Sequence, residues 1–96
     1  MALTFEWDPR KAAANRTKHR VSFDEAITAF GDPLGRLVSD PRHSVTEERL
    51  ALLGQSAAGR LLAVMFTDRG ASRIRVISAR LATRRERTVY EEDSDE

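Results

Sequence analysis

The sequence predicts an α+β domain in which helices pack on an antiparallel sheet of about four strands. Two observations carry this prediction. Residues 8–33 contain two helix-start signals followed by helix formers, and from residue 34 the pattern changes to short apolar segments separated by turn residues. The chain has 96 residues, of which 41% are hydrophobic, and this suffices for one domain with a single modest core.

The N-terminal region predicts a short strand followed by a helix. Residues 3–7 (LTFEW) are apolar and aromatic and fit an opening strand. Asp8 and Pro9 mark a helix start, because aspartate caps the N-terminus and proline is tolerated at the first helical position. Lys18 and His19 end this alanine-rich segment, where cations complement the helix dipole.

A second helix is predicted to begin at Ser22. Residues 22–25 (SFDE) have the spacing of a capping box, in which the serine and glutamate side chains satisfy backbone N–H groups of the first turn. The apolar positions of this helix share one face and are expected in the core: Phe23, Ala26, Ile27 and Phe30. The sequence GDP at residues 31–33 ends the helix.

Four strands are predicted after the second helix, at residues 34–40, 48–55, 60–68 and 72–79. Turns are predicted at residues 57–59 (AAG) and 68–70 (DRG). The third strand is almost entirely apolar, which predicts a central position in the sheet. The helices are expected to cover one face of this sheet.

The C-terminal third of the chain is rich in arginine. Residues 69–87 hold seven arginines and a single acid, although the net charge of the chain is only +1. Within this stretch, residues 83–86 (TRRE) form a second capping box and predict a short C-terminal helix. Arginine binds phosphate in a bidentate manner and remains charged at physiological pH, so the stretch indicates contact with nucleic acid. The alternative is a solvated face on which the arginines form ion pairs.

Composition excludes several classes of site. The chain has no cysteine, so it forms neither disulfides nor thiolate zinc sites, and its two histidines make a dedicated metal site unexpected. No phosphate-binding loop or nucleophile elbow is present, and we expect no cofactor. Neither a membrane-spanning run nor a signal peptide is evident, so a cytoplasmic protein without membrane contact is expected.

The acidic C-terminus sets the predicted domain boundary. After Tyr90 the chain reads EEDSDE, without an apolar residue. Residues 1–92 are therefore expected to form the single domain, and residues 93–96 a disordered acidic tail. Such a tail carries the charge to compete with nucleic acid for the basic surface.

Polar residues at the predicted element ends supply the groups that RNA cleavage without a metal requires. The reaction needs a base for the 2′-hydroxyl, an acid for the leaving oxygen and cations for the transition-state charge. Histidine suits the first two roles because it titrates near neutrality. The candidates are Lys18, His19, His43, Glu47, Glu48, Arg73, Arg75, Arg80, Arg84, Arg85 and Arg87. Structural interpretations also exist: helix capping for His19, an exposed loop for His43, and ion pairing for the others.

Three blocks of sequence, in order along the chain, resemble the BrnT family of toxins from bacterial type II toxin–antitoxin pairs. They read FEWDPRKAAANRTKHRVSFDEAITAFGDPL, DPRHSVTEER and RIRVISARLATRRERTVYEE, and together they cover most of residues 5–92. The resemblance implies a RelE-like fold, which agrees with the α+β layout. It also implies a ribonuclease that cuts RNA and arrests translation until a BrnA antitoxin binds it.

The resemblance further implies partners and site residues. Family antitoxins carry a DNA-binding domain, so a toxin–antitoxin heterotetramer is implied that contacts operator DNA only through the antitoxin. The polar positions that match the family pattern are Lys18, His19, His43, Glu48, Arg80, Arg84, Glu86 and Arg87. Many relatives have glycine after Lys-His, where this chain has Arg20, so Arg20 is expected in a left-handed backbone conformation.

The leading hypothesis is therefore a metal-independent RNA endonuclease toxin. The residues assigned to catalysis are Lys18, His19, His43, Glu48, Arg75, Arg80 and Arg84, and those assigned to the RNA backbone are Arg73, Arg85 and Arg87. The cationic residues stabilise the phosphate, one histidine transfers protons, and Glu48 is the next candidate base. The alternatives are an inactive module that binds only antitoxin or nucleic acid, and a basic face that serves mainly to dock the antitoxin.

Overall fold

The computed structural model describes residues 2–39 and 49–94, with side chains described up to residue 92. Its elements in chain order are β1 (Thr4–Glu6), α1 (Pro9–His19), α2 (Phe23–Thr28) followed by a 3₁₀ turn (Ala29–Gly31), β2 (Arg36–Ser39), β3 (Leu50–Gln55), β4 (Leu61–Asp68), β5 (Arg73–Leu81) and α3 (Arg84–Ser94). Each predicted helix and strand is present, and the α+β class is confirmed. No helix in this part of the chain is both long and apolar enough to cross a membrane.

The sheet has five strands in the order β1-β5-β4-β3-β2. Strands β2 to β5 form the predicted antiparallel meander, with β4 at the centre. The expectation of about four antiparallel strands needs one correction, because β1 joins the sheet parallel to β5, with Glu6 opposite Arg75. The sequence does not show this pairing because β1 and β5 are separated by most of the chain. The sheet is therefore mixed.

One face of the sheet is covered by α1 and α2. The core on this face includes the predicted Phe23 and Ala26, both almost fully buried, together with apolar residues of β3, β4 and β5. Its rings pack edge to face, with centroids 5.1 Å apart for both Phe5–Phe30 and Phe30–Phe66. Trp7 packs in the same way on Phe23, at 5.8 Å.

The opposite face is covered by α3, so the expectation that all helices lie on one face is wrong. Leu53, Ala63 and Met65 are buried on this side, and Val89 and Tyr90 of α3 pack against them. The reason lies in β4, whose residues from Leu61 to Thr67 are all buried. A strand that is apolar on both faces must be covered on both.

Asn15 joins the helical layer to the sheet. Its side chain is buried, and its Nδ2 donates to the carbonyl oxygens of Val21 at 2.9 Å and Ala79 at 2.8 Å. Its Oδ1 accepts from the Ala79 N–H at 3.1 Å. The amide therefore pairs with β5 as a neighbouring strand would, beyond the end of β1, and satisfies backbone groups that burial would otherwise leave unpaired.

The helix ends follow the sequence signals. Asp8 Oδ1 accepts from the Arg10 N–H at 2.8 Å, and Ser22 Oγ accepts from the Glu25 N–H at 3.0 Å, so both predicted N-caps are confirmed. Arg20 ends α1 with φ 58° and ψ 33°, and its N–H donates to the Arg16 carbonyl oxygen. The expected left-handed conformation of Arg20 is confirmed.

The C-terminal helix continues to Ser94, two residues beyond the predicted domain boundary. Residues 95–96 lie outside the described residues. Disorder of the acidic tail therefore remains a prediction for those two residues.

We expect Asn15→Ala to lower the free energy of unfolding by roughly 2–4 kcal/mol, because Val21 and Ala79 lose partners for buried backbone groups. Urea denaturation measures this change. Arg16→Ala, an exposed neighbour on the same helix, serves as the control and is expected to change stability by less than about 0.5 kcal/mol. An equal loss of free energy of unfolding in the two variants would show that the hydrogen bonds of the Asn15 side chain do not contribute to stability.

We expect Arg20→Gly to raise the free energy of unfolding by about 1 kcal/mol, because glycine adopts the left-handed conformation without the steric cost of a Cβ atom. Thermal and urea unfolding measure the change. Arg20→Ala is the matched variant: it removes the same charge but keeps the Cβ atom, and it should not stabilise. A gain of equal size in Arg20→Ala would assign the effect to charge instead.

Candidate nucleic-acid interface

A groove runs between the last turns of α1 and the outer edge of β5. Its volume is about 220 Å³, and it is lined by Lys11, Ala14, Asn15, Lys18, His19, Ile77 and Ser78. Lys18 is exposed and His19 is half-buried. Neither side chain forms an ion pair or hydrogen bond within residues 2–39 and 49–94. The groove therefore presents an ammonium group and an imidazole whose polar atoms are available to a ligand.

Two irregularities of β5 lie beside the groove. Strand β1 pairs only with residues 73–75, so the outer edge of β5 is open beyond them. A β-bulge follows, since Met65 pairs with Ser78 and the next residue, Phe66, pairs with Val76, which leaves Ile77 without a partner in β4. Bulges often redirect side chains beside functional sites. Here the bulge includes Ile77 and Ser78, which both line the groove.

Arg80 lies two residues beyond Ser78 and on the same face of β5, because their partners Met65 and Ala63 share a face of β4. Its guanidinium binds the Glu86 carboxylate in a bidentate manner, with Nη1–Oε1 at 2.7 Å and Nη2–Oε2 at 3.0 Å. The bond from Arg80 is the largest cause that holds the pKa of Glu86 below its usual value, against the opposing effect of burial. Glu86 is therefore ionised at neutral pH.

Glu86 also completes the predicted capping box of α3. Its Oε1 accepts from the Thr83 N–H at 2.9 Å, and its own N–H donates to Thr83 Oγ1 at 3.1 Å. The first turn that follows carries Arg84, Arg85 and Arg87, which we call the α3 arginine cluster, and all three are exposed. Arg87 lies 3.9 Å from Glu91, whereas Arg84 and Arg85 have no acidic partner in the described part of the chain.

Arg73 and Arg75 lie at the opposite end of β5. Both pair with Glu6 of β1, with Arg75 Nη1–Oε2 at 3.0 Å and Arg73 Nε–Oε1 at 3.4 Å. Both arginines therefore form cross-strand ion pairs, as the structural interpretation of these residues predicts. Arg75 and Arg80 are five residues apart, about 15 Å along the strand. Each of the two arginines is paired with a different carboxylate, Arg75 with Glu6 and Arg80 with Glu86, and their joint contact with one phosphate stays a prediction.

His43 and Glu48, with Glu47, fall outside the described residues, and their assigned roles stay predictions. The strands that flank them are β2 and β3. Leu50 pairs with Phe66, and Phe66 pairs with Val76, so the start of β3 lies level with the Arg75 end of β5.

Helix α3 is held in place by two hydrogen bonds that the sequence interpretation missed. The Tyr90 hydroxyl donates to Asp32 Oδ2 at 2.6 Å, and Arg36 Nη1 donates to the Val89 carbonyl oxygen at 3.0 Å. Asp32 was read only as part of a helix end. Burial raises its pKa, but hydrogen bonds from Tyr90 and from two backbone N–H groups outweigh burial and lower it overall. In the sequence, the only signal that Asp32 holds α3 is the presence of an acidic residue beside a turn.

Other candidate chemistry is limited in this part of the chain. No group of three or more His, Asp or Glu with metal-binding geometry occurs among the described residues. A second, larger and more open cavity of about 580 Å³ lies beside the 3₁₀ turn and the β3–β4 hairpin. Its lining is Thr28, Gly31, Asp32, Pro33, Gln55, Ser56, Ala57 and Gly59, which brings together no basic or nucleophilic group suited to RNA cleavage.

The fold and the cationic edge define a class: a small α+β domain with a mixed five-stranded sheet, two helices on one face and an arginine-bearing helix on the other. The sequence profile described as "Ribonuclease toxin, BrnT, of type II toxin-antitoxin system" matches residues 7–86. The chain therefore belongs to the BrnT family of type II toxins, as the sequence resemblance indicated. A type II system pairs such a toxin with a protein antitoxin.

A solved structure shows the same fold. It is the 1.1 Å crystal structure of the Brucella abortus ribonuclease toxin BrnT, which is 22% identical in sequence. The match covers 86% of this chain and 100% of the Brucella chain, with a TM-score of 0.65. No curated protein sequence matches this chain. At this identity the likeness establishes the fold, and the roles of individual residues must be argued from this chain.

We expect the alkaline unfolding of this protein to depend on Tyr90. The hydrogen bond to Asp32, followed by burial, raises the pKa of Tyr90 to about 12 from 10.0. The bond therefore contributes stability below pH 10, and this contribution is lost as the pH rises towards 12. Because the chain has one tyrosine, an ultraviolet titration of the phenolate reports this pKa directly.

Two variants test this assignment. Tyr90→Phe should lower the free energy of unfolding by roughly 1–2 kcal/mol at neutral pH, and the difference from the wild type should shrink as the pH approaches 12. In Asp32→Asn the phenol should titrate closer to pH 10. A wild-type phenol that titrates at its ordinary value would contradict the bond.

Proposed function

We propose that this protein is an endoribonuclease that cleaves RNA without a metal ion. One observation carries the proposal: the groove that holds Lys18 and His19 borders β5 at Ser78, and Arg80 follows two residues later on the same face of that strand. The α3 arginine cluster begins four residues after Arg80. A histidine and a lysine of the groove and the ion-paired Arg80 are thus contributed by α1 and the adjoining part of β5. Family membership in a class described as ribonuclease toxins supports the same activity.

The reaction that fits these groups is attack of the ribose 2′-hydroxyl on the adjacent phosphorus. A base removes the hydroxyl proton, and an acid protonates the 5′-oxygen as its bond to phosphorus breaks. We assign the proton transfer to His19, because its side chain lines the groove and histidine is the residue type best suited to acid–base catalysis near neutral pH. His43 remains the second candidate for this transfer, and Glu48 the next candidate base.

The cations divide into two groups. Lys18 of the groove, Arg80 of β5 and Arg84 at the start of α3 are proposed to stabilise the charge that develops on the phosphorane-like transition state. Arg85 and Arg87 extend this surface along α3 and contact neighbouring phosphates. Arg73 and Arg75, at the far end of β5, are proposed to bind the RNA backbone more distantly, since Glu6 already neutralises part of their charge.

The partner and setting follow from the type II class. We propose that a BrnA-type antitoxin neutralises this toxin in a heterotetramer, and that the complex contacts operator DNA only through the antitoxin. Free toxin is proposed to act in the cytoplasm and to arrest translation by cutting RNA.

A second candidate function is an inactive module that binds only the antitoxin or nucleic acid. One observation favours it: Arg73, Arg75 and Arg80, three of the arginines assigned to RNA, are each ion-paired to a carboxylate of this chain. This candidate predicts normal growth when the chain is expressed alone, together with co-purification with the antitoxin. Growth arrest that the antitoxin relieves excludes it.

We expect purified protein to cleave RNA in the presence of EDTA, because no step assigned above needs a metal. Electrophoresis of a labelled RNA measures the cleavage, and products that end in a cyclic phosphate identify attack by the 2′-hydroxyl. RNA binding should weaken with salt, with a slope of roughly 0.7 per phosphate contacted on a single strand. RNA that stays intact at high protein concentration in EDTA would exclude the metal-independent mechanism.

We expect His19→Ala to lower kcat by roughly 100-fold or more, the usual contribution of a general acid or base. Lys18→Ala should also lower kcat, since the ammonium group assists the phosphate. The matched control is Arg16→Ala, which removes one charge from an exposed position of the same helix. If Arg16→Ala and Lys18→Ala slow cleavage equally, Lys18 acts only through net charge; if His19→Ala is fully active, His43 takes the proton-transfer role.

A further inference from the structure

Glu86 is the acid that determines how Arg80 is held. Each oxygen of its carboxylate accepts a hydrogen bond from a different terminal nitrogen of Arg80. The backbone of Thr83 fixes the same carboxylate from the other side. The guanidinium is thereby attached to the N-terminus of α3, and not only to its own strand.

The geometry of this pair has a physical consequence. Two parallel N–H···O bonds fix the plane of a guanidinium and therefore the position of its charge. The side chains are 29% and 21% exposed for Arg80 and Glu86, so solvent screens the pair less than a surface ion pair. A cation that is already oriented stabilises transition-state charge without reorganisation during the reaction.

The lowered pKa of Glu86 disfavours a role as general base. The Arg80 bond, ahead of all other causes, keeps the pKa of Glu86 below its usual value. A general base at neutral pH is most effective when its pKa is near the pH of the reaction. An ionised carboxylate that already accepts three hydrogen bonds is a poor proton acceptor, so Glu86 acts by orienting its partner.

We propose that Glu86 is a positioning residue for RNA cleavage, which holds the Arg80 guanidinium in the orientation that stabilises the scissile phosphate. This inference rests on the proposed ribonuclease function. It assigns to the capping box of α3 a second task besides starting the helix. It also explains why Arg80 is paired with Glu86 although the pair lowers the net positive charge of the surface: Glu86 fixes the orientation of the guanidinium.

The chain contains a matched control for this pair. Glu25 occupies the same capping-box position in α2, and its N–H donates to Ser22 Oγ. Its carboxylate likewise binds an arginine through two nitrogens, Nε and Nη2 of Arg60. Helix α2 packs on the other face of the sheet from α3. The Glu25 carboxylate also accepts from Ser56 Oγ, in place of the N-cap N–H that Glu86 binds. Glu25→Gln therefore removes the same charge from the corresponding helix position at a place where no RNA contact is proposed.

The experiment compares RNA cleavage by the wild type, Glu86→Gln, Glu25→Gln, Arg80→Ala and the double variant Arg80→Ala/Glu86→Gln, all as the full chain. Glutamine keeps the capping-box length but loses the charge. We expect Glu86→Gln to lower kcat about tenfold or more with little change in KM, and Glu25→Gln to retain the wild-type kcat. Adding Glu86→Gln to Arg80→Ala should cause no further loss, since Glu86 acts through Arg80.

Thermal unfolding of each variant shows that it is folded at the assay temperature. If Glu86→Gln is unfolded, Glu86→Asp replaces it: it keeps the charge, shifts the carboxylate by one methylene and should lower kcat by a smaller factor. The sign of the effect is decisive, because the loss of a negative charge near RNA would by itself strengthen binding and speed cleavage.

Several outcomes overturn the inference. A Glu86→Gln variant as fast as the wild type, or faster, shows that Glu86 does not position Arg80, and an equal loss in Glu25→Gln reduces its role to stability. In both cases the ribonuclease function stands, because the wild type cleaves RNA. A wild-type chain that cleaves no RNA overturns the proposed function and this inference together.

Discussion

The interaction on which the rest of the structure depends is the buried amide of Asn15. Helix α1 meets the outer edge of β5 beyond the last residue paired with β1, where unpaired backbone groups would be costly. Asn15 satisfies the edge at Ala79 and the turn into α2 at Val21 with one side chain. Lys18 and His19 follow three and four residues later on the same side of the helix. The amide–strand pairing therefore holds the part of α1 that lines the groove against β5.

Carboxylates organise the basic surface at every point where an arginine is fixed. Glu6 pairs with both arginines at one end of β5, Glu86 with Arg80 at the other, and Asp32 holds α3 through Tyr90. The arginines of β5 therefore form two separate groups, Arg73 and Arg75 on one side of the bulge and Arg80 on the other. The groove-side site combines a fixed guanidinium with exposed arginines, which suits a single phosphate and its neighbours.

Local signals explain which predictions were correct. The N-caps at Asp8 and Ser22, the capping box at Thr83 and the strong apolar run of β4 each depend on residues close in sequence, so they could be read directly. The left-handed conformation of Arg20 rests on a different signal, the glycine that many BrnT relatives carry after Lys-His. The parallel pairing of β1, the position of α3 on the opposite face and the separation of Arg75 from Arg80 could not be read, because each depends on contacts between distant segments.

The sequence by itself determined the helices and strands, the α+β class, the family and the residue types from which an RNA-cleaving site can be built. Only the tertiary structure decided which of these residues meet. Ion pairs and edge contacts depend on the register between strands and on one unpaired residue, Ile77, and a shift of one residue would move Arg80 to the other face of the sheet. Composition shows the charges of a surface, but strand register and burial decide which of them a ligand encounters together.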